Sequence, residues 1–171
     1  KAPTNAHIAY QRAWLLHNKL GRYAEAEAAY RQAIALDEKD AAPWNNLGNI
    51  LQDHLGRYAE AEAAYHQAIA LDEKNAIPWN GLGTLLQNHL GRYEEAETAY
   101  RKAIALDEKF APPWAGLGSL LQDHLGRYAE AEAAYRQAIA LDEKKAVPWD
   151  GLGTLLQNHL GRYEEAETAY R

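Results

Sequence analysis

Cysteine is missing altogether, which excludes a disulfide framework and any thiolate metal site. The same lack fits a reducing compartment, and the cytoplasm is the expected location. There is no surplus of cations either: Lys and Arg number 18 against 24 Asp and Glu, a net charge of −6, with a pI near 5.6. A nucleic-acid surface needs clustered basic side chains to displace counterions from phosphates, so no nucleic-acid partner is expected. No apolar run approaches the roughly 20 residues that cross a bilayer, and no signal peptide is visible, so no membrane partner is expected. A nucleophile elbow and a His-Glu-x-x-His pair are also missing. The acids and histidines that are present recur at intervals, and several identical weak sites do not make one preorganised centre. The chain therefore reads as non-catalytic, with no catalytic residue, metal ligand or cofactor.

What is there is repetition. Pro-Trp recurs at Pro43, Pro78, Pro113 and Pro148, and Leu-Gly-Arg-Tyr recurs from Leu20, Leu55, Leu90, Leu125 and Leu160, each step being 35 residues. A fixed period of this length signals stacked copies of one supersecondary unit, each contacting mainly its neighbours and together offering an extended surface. The reading is one array over 1–171: an atypical first unit at 1–42, then 43–77, 78–112, 113–147 and a truncated 148–171. The chain starts at Lys1 and stops at Arg171 inside a repeat, where an earlier copy continues Lys102-Ala103-Ile104. It reads as a piece of a longer array, with apolar surface at the truncated end that end-to-end self-association would cover.

One unit reads as two helices. Pro43 suits a first helical position, where a missing N–H costs nothing. From Trp44 to Leu55, at 100° per residue, Trp44, Gly48, Leu51 and Leu55 fall on one flank and Leu47 and Ile50 on another. Two apolar flanks suit a helix sandwiched in a stack, since a surface helix needs only one. Gly56 stands where a helix end wants a left-handed residue. Ala61, Ala64, Tyr65, Ala68 and Leu71 then mark a packing face over Tyr58–Leu71, and the stretch before Pro78 ends it. Glycine inside a helix costs about 1 kcal/mol, yet Gly48, Gly83, Gly118 and Gly153 recur. Close approach of a neighbour, expected at the Ala61, Ala96, Ala131 and Ala166 row, would offset it. The tyrosines at 58 and 65 and their equivalents are expected in the core, and the row His54, His89, His124 and His159 in turns or at the surface.

The unit resembles a tetratricopeptide repeat, whose pattern is Trp-x2-Leu-Gly-x2-Tyr, then Ala-x3-Phe. The matching positions are Trp44, Leu47, Gly48, Ala61 and Tyr65; Trp79, Leu82, Gly83, Ala96 and Tyr100; Trp114, Leu117, Gly118, Ala131 and Tyr135; and Trp149, Leu152, Gly153, Ala166 and Tyr170. The chain departs from the 34-residue family period by one residue in the tract Gln52-Asp53-His54, which should alter the hairpin turn. In the first hairpin Ala9 and Arg12 replace the Trp and Leu, as in a capping unit. The tract from Gln52 nearly recurs from Gln122, 70 residues on, which suggests duplication in pairs. Differences at His66, Phe110 and Lys145 favour natural duplication over an engineered consensus array.

The resemblance implies an all-α fold, a solenoid of stacked antiparallel helix hairpins coiling into a right-handed superhelix. It also implies a protein-interaction scaffold that holds a peptide or protein segment on a concave face lined by first helices. On that face the polar candidates are Asn45, Asn49 and Gln52; Asn80, Thr84 and Gln87; Ser119 and Gln122, beside Ala115; and Asp150, Thr154 and Gln157. The cations with which some family members hold an acidic peptide C-terminus are missing from these positions, so the expected partner is a neutral or basic segment. Tyr10, Trp14 and His17 hold the same slots in the first hairpin. The other readings are a purely architectural spacer and an RNA-reading pentatricopeptide-like array; the acidic charge and the Trp/Leu-Gly rows weigh against the latter.

Overall fold

The computed structural model describes residues 4–171, so residues 1–3 of the first unit lie outside the described residues. Among the described residues the secondary structure is helical with no strand, and none of the helices is long and apolar enough to cross a membrane. Contacts divide the chain into two compact parts that meet in sequence between Leu85 and Leu86.

The first part holds α1 (Asn5–Asn18), α2 (Tyr23–Leu36), α3 (Ala41–Asp53), α4 (Tyr58–Leu71) and α5 (Ala76–Leu85). α1 pairs with α2 and α3 with α4, while α2 packs on α3 and α4 on α5. The second part opens with a π-helical turn (Leu86–Leu90), then α6 (Tyr93–Leu106), α7 (Ala111–Asp123), α8 (Tyr128–Leu141), α9 (Ala146–Asn158) and α10 (Tyr163–Tyr170). Here α7 pairs with α8 and α9 with α10, with α6 against α7 and α8 against α9. As its two apolar flanks require, α3 buries Leu47, Gly48, Ile50, Leu51 and Gln52, and it touches α2, α4 and α5.

The second helix runs over Tyr58–Leu71 as expected, but the first helix starts two residues before its proline. Asp40 caps α3 by accepting from the Ala42 N–H at 3.0 Å, and the helix begins at Ala41. Pro43 then stands third rather than first. It is still among the four leading N–H groups that lack an intrahelical partner, so its missing donor costs nothing. Asn75 forms the same bond to the Ile77 N–H at 3.0 Å, whereas Phe110 and Lys145 in that slot cap without a side-chain bond.

Each turn between paired helices closes on a glycine with positive φ, from +62° at Gly21 to +65° at Gly126. The bonding there is wider than an ordinary helix end. Leu55 N donates to Ile50 O at 3.2 Å and Arg57 N to Leu51 O at 2.9 Å. A bond back five residues is of π type, and it absorbs the residue by which this period exceeds 34. Leu125 and Leu160 repeat it onto Leu120 and Leu155.

The glycines on the first helices face tyrosine rings, rather than the Ala61 row expected from the sequence. A Cβ on Gly48 would lie 2.7 Å from Tyr65 Cε1, and one on Gly81 the same distance from the same atom. Tyr65 is thus clasped between its own hairpin and α5. Tyr135 is clasped likewise between Gly118 and Gly151, whose Cβ positions would lie 2.8 and 2.6 Å from its ring. Alanine would remove the helix cost of glycine but would overlap a buried ring.

Candidate functional site

Each part has a candidate face of its own, from α3 and α5 in the first and from α7 and α9 in the second. The residues of both divide into two kinds. Gln52, Gln87 and Gln122 are 6, 7 and 7% exposed, so they are core residues and not an open row of amides. Their slot follows the buried leucine at Leu51, Leu86 and Leu121 and turns toward the clasped tyrosines. Tyr65 Oη donates to Gln52 Oε1 at 3.2 Å and to Asn49 Oδ1 at 2.8 Å. Tyr100 Oη donates to Gln87 Oε1 at 2.9 Å. Gln87 Nε2 in turn donates to Ser119 Oγ at 3.2 Å, and Ser119 Oγ to Asp123 Oδ2 at 3.0 Å. Gln52 and Gln87 therefore spend hydrogen bonds inside the fold, for a buried phenol must be satisfied.

The second kind stays in reach of solvent. Asn45, Asn49, Asn80, Thr84, Ser119 and Thr154 are half-buried, and Asp150 and Gln157 are exposed. Thr84 turns its hydroxyl onto the Asn80 carbonyl at 3.1 Å. Among the described residues, Asn45 Oδ1 has no hydrogen-bond partner, nor does Gln122 Oε1. Thr154 Oγ1 and Gln157 Oε1 both stand 3.4 Å from the Tyr170 hydroxyl.

Charge on these helices has one sign. None of α3, α5, α7 and α9 carries a Lys or Arg, while Asp53, Asp123 and Asp150 stand on them. Tyr135 feels both Asp123 and Asp150: burial first, and then these two carboxylates, push its phenol above the usual range. Burial and Asp53 do the same to Tyr65. Asp53 and Asp123 are not among the candidate positions read from the sequence. The spacing of Ser119 to Asp123, one helical turn, is the signal that points to Asp123.

The histidine row stands at exposed turn positions, as expected, but it has partners. His54 stacks on Tyr23 with centroids 3.7 Å apart and planes 8° apart. His124 stacks on Tyr93 at 4.1 Å and His159 on Tyr128 at 4.4 Å. This changes the place of the Tyr58 row: Tyr23, Tyr58, Tyr93 and Tyr128 are half-buried rather than core, because the ring must lie at the surface to meet the next turn. Tyr65 and Tyr100 are buried at 1 and 2% exposure.

Away from the face, the second helices are strapped by charge. Arg57 donates to Glu60 at 2.7 and 2.6 Å on its own helix and to both oxygens of Glu27, at 2.8 Å, on the preceding hairpin. Arg127 spans Glu130 and Glu97 in the same way, and Arg162 spans Glu165 and Glu132. Hydrogen bonds from Arg57 foremost hold the Glu60 carboxyl below its ordinary 4.5.

Comparison with known proteins agrees with this architecture. A family model described as Tetratricopeptide repeat matches residues 40–109, one described as TPR repeat matches 15–54, and a further Tetratricopeptide repeat model matches 111–145. No curated protein matches the chain. Among solved structures, PilF of Pseudomonas aeruginosa is similar with a TM-score of 0.84 at 20% identity, over 96% of this chain and 74% of that one. MamA from Desulfovibrio magneticus has a TM-score of 0.78 at 17% identity, over 99% of this chain and 93% of that one. YrrB, described as having an unusual peptide-binding site, has a TM-score of 0.70 at 22% identity, over 96% and 82%. At these identities the likeness is one of fold.

Proposed function

Because the chain belongs to the tetratricopeptide repeat family, we propose that it is a non-catalytic scaffold whose first-helix face holds a neutral or basic segment of another protein. The observation that carries the reading is the charge of that face. The first helices α3 and α5 of one part and α7 and α9 of the other lack Lys and Arg, and α7 and α9 bear Asp123 and Asp150, carboxylates that repel an acidic peptide tail and attract a lysine or arginine. Half-buried Asn45, Asn49 and Asn80 add amide groups that can bond an extended backbone. The peptide-binding site of YrrB supports the same class of partner. Asp123 and Asp150 are the residues on which the charge preference turns.

The test is fluorescence anisotropy with labelled peptides of equal length carrying either lysines or glutamates. The lysine peptide should bind, more weakly as salt rises. The pair Asp123→Lys and Asp150→Lys should weaken it by about tenfold, the loss of one well-placed charge contact of about 1.4 kcal/mol, with helicity unchanged. Preference for the glutamate peptide would reverse the charge assignment. The architectural spacer remains the second reading, favoured by the burial of Gln52, Gln87 and Gln122, which commits those amides to the fold. Failure of either peptide to bind would support it.

A further inference from the structure

His17 stands at the slot that holds Gln52, Gln87 and Gln122 in later copies. Its surroundings differ from theirs. Its ring centroid lies 5.5 Å from that of His54, at 84° to it. It meets Tyr23 edge-on at 6.1 Å, and Tyr23 is the ring on which His54 lies flat. Its Nδ1 is 3.4 Å from the hydroxyl of Tyr30, which is fully buried. Two imidazoles and two phenols thus close the corner where α1, α2 and the end of α3 meet. The groups that face His17 are Tyr23 and Tyr30 from α2, and Asp53 and His54 from the end of α3. Lys19, on the turn that follows α1, is placed instead over the Trp14 ring at 5.8 Å.

We propose that His17 and His54 form a proton-operated latch, which holds the first hairpin on α3 while the rings are neutral and loosens it when both are charged. Two imidazolium rings this close repel, and a half-buried one is poorly solvated. Burial, then His54, hold His17 below the ordinary imidazole value of 6.5, with Asp53 pulling the other way. For a base whose folded value is depressed, the unfolded chain takes the proton first as pH falls. The contribution of the latch is therefore complete above 6.5 and is lost as pH drops below it. Because repeat arrays open locally, hairpin by hairpin, the loss falls on α1 and α2. α1 carries Tyr10, Trp14 and His17, which hold the candidate slots of the first hairpin.

Hydrogen exchange of the whole chain, corrected for the intrinsic rate, tests the latch. Moving from neutral pH to about pH 5.5, one unit below the imidazole reference, should cost α1 and α2 severalfold more protection than α7 and α8. In His17→Gln that excess should vanish, since glutamine cannot charge and is the residue that meets Tyr65 in the next hairpin. Imidazole proton NMR supplies an independent reading. His17 should titrate below the ordinary value, and His54→Gln should raise it. Equal acid loss in the wild type and His17→Gln, or ordinary titration of His17, would overturn the proposal.

Discussion

The first hairpin and the second place a tyrosine in the same pocket and surround it with different chemistry. Tyr65 sits between two glycines and gives its proton to Asn49 and Gln52. Tyr30 is just as buried, but Ala13 and Asn46 occupy the glycine slots, and its hydroxyl meets the titratable His17 at a longer 3.4 Å. Asn46 turns its amide to Tyr10 Oη at 3.0 Å. The backbone geometry of the array is thus kept while the partners of its central ring vary. A repeat can acquire a pH response by exchanging one amide for an imidazole, without moving a helix.

The comparison can be broken most strongly at the glycine clasp. Gly48→Val should destabilise the protein by about 3 kcal/mol in chemical denaturation, because the ring it overlaps is held from behind by Gly81. Ala13→Gly, the reverse exchange in the first hairpin, should cost only about 1 kcal/mol, the propensity difference. Similar losses from the two would mean that the clasp is looser than the ring distances imply. A middle-sized effect separates the hydroxyls. Tyr65→Phe leaves buried acceptors unpaired and should cost about 2 kcal/mol, whereas Tyr30→Phe should cost under about 1 kcal/mol. Equal values from thermal melts would sink the distinction between amide and imidazole partners. The smallest effect concerns the charged straps. Among the described residues Arg22 pairs with Glu25 alone, on its own helix at 2.6 Å, while Arg57 also reaches Glu27. Arg57→Ala should lower the melting midpoint slightly more than Arg22→Ala at low salt, and the gap should close at high salt as exposed pairs are screened.

Much of this was legible in the residues. The period of 35, the Gly56 turn, the second helix over Tyr58–Leu71 and the sandwiched first helix all follow from local rules of spacing and capping. The site was less legible. Periodicity placed Gln52, Gln87 and Gln122 on one polar stripe, but a stripe at the edge of an apolar flank can turn either way. The clasped tyrosines turned it inward. The Tyr58 row was misread for a related reason: an aromatic at a helix start suits the core, and here a histidine from the next turn takes the place of core contacts. The first helices begin two residues before Pro43, Pro113 and Pro148 whether the cap is Asp40 or the bondless Phe110 and Lys145, because proline costs nothing anywhere in the first turn.

By itself the sequence determined that this is an all-helical repeat protein of net negative charge, with no Lys or Arg at the candidate positions of its regular first helices. Helix periodicity, glycine turns and net charge are local or additive properties, which survive without knowledge of long-range contacts. Only the tertiary structure decided which polar groups remain available to a partner and which are consumed. It also decided that His17, from an atypical slot, meets His54 from the regular row. Both depend on contacts between residues from 13 to 37 positions apart, where one or two ångströms separate a hydrogen bond from open solvent.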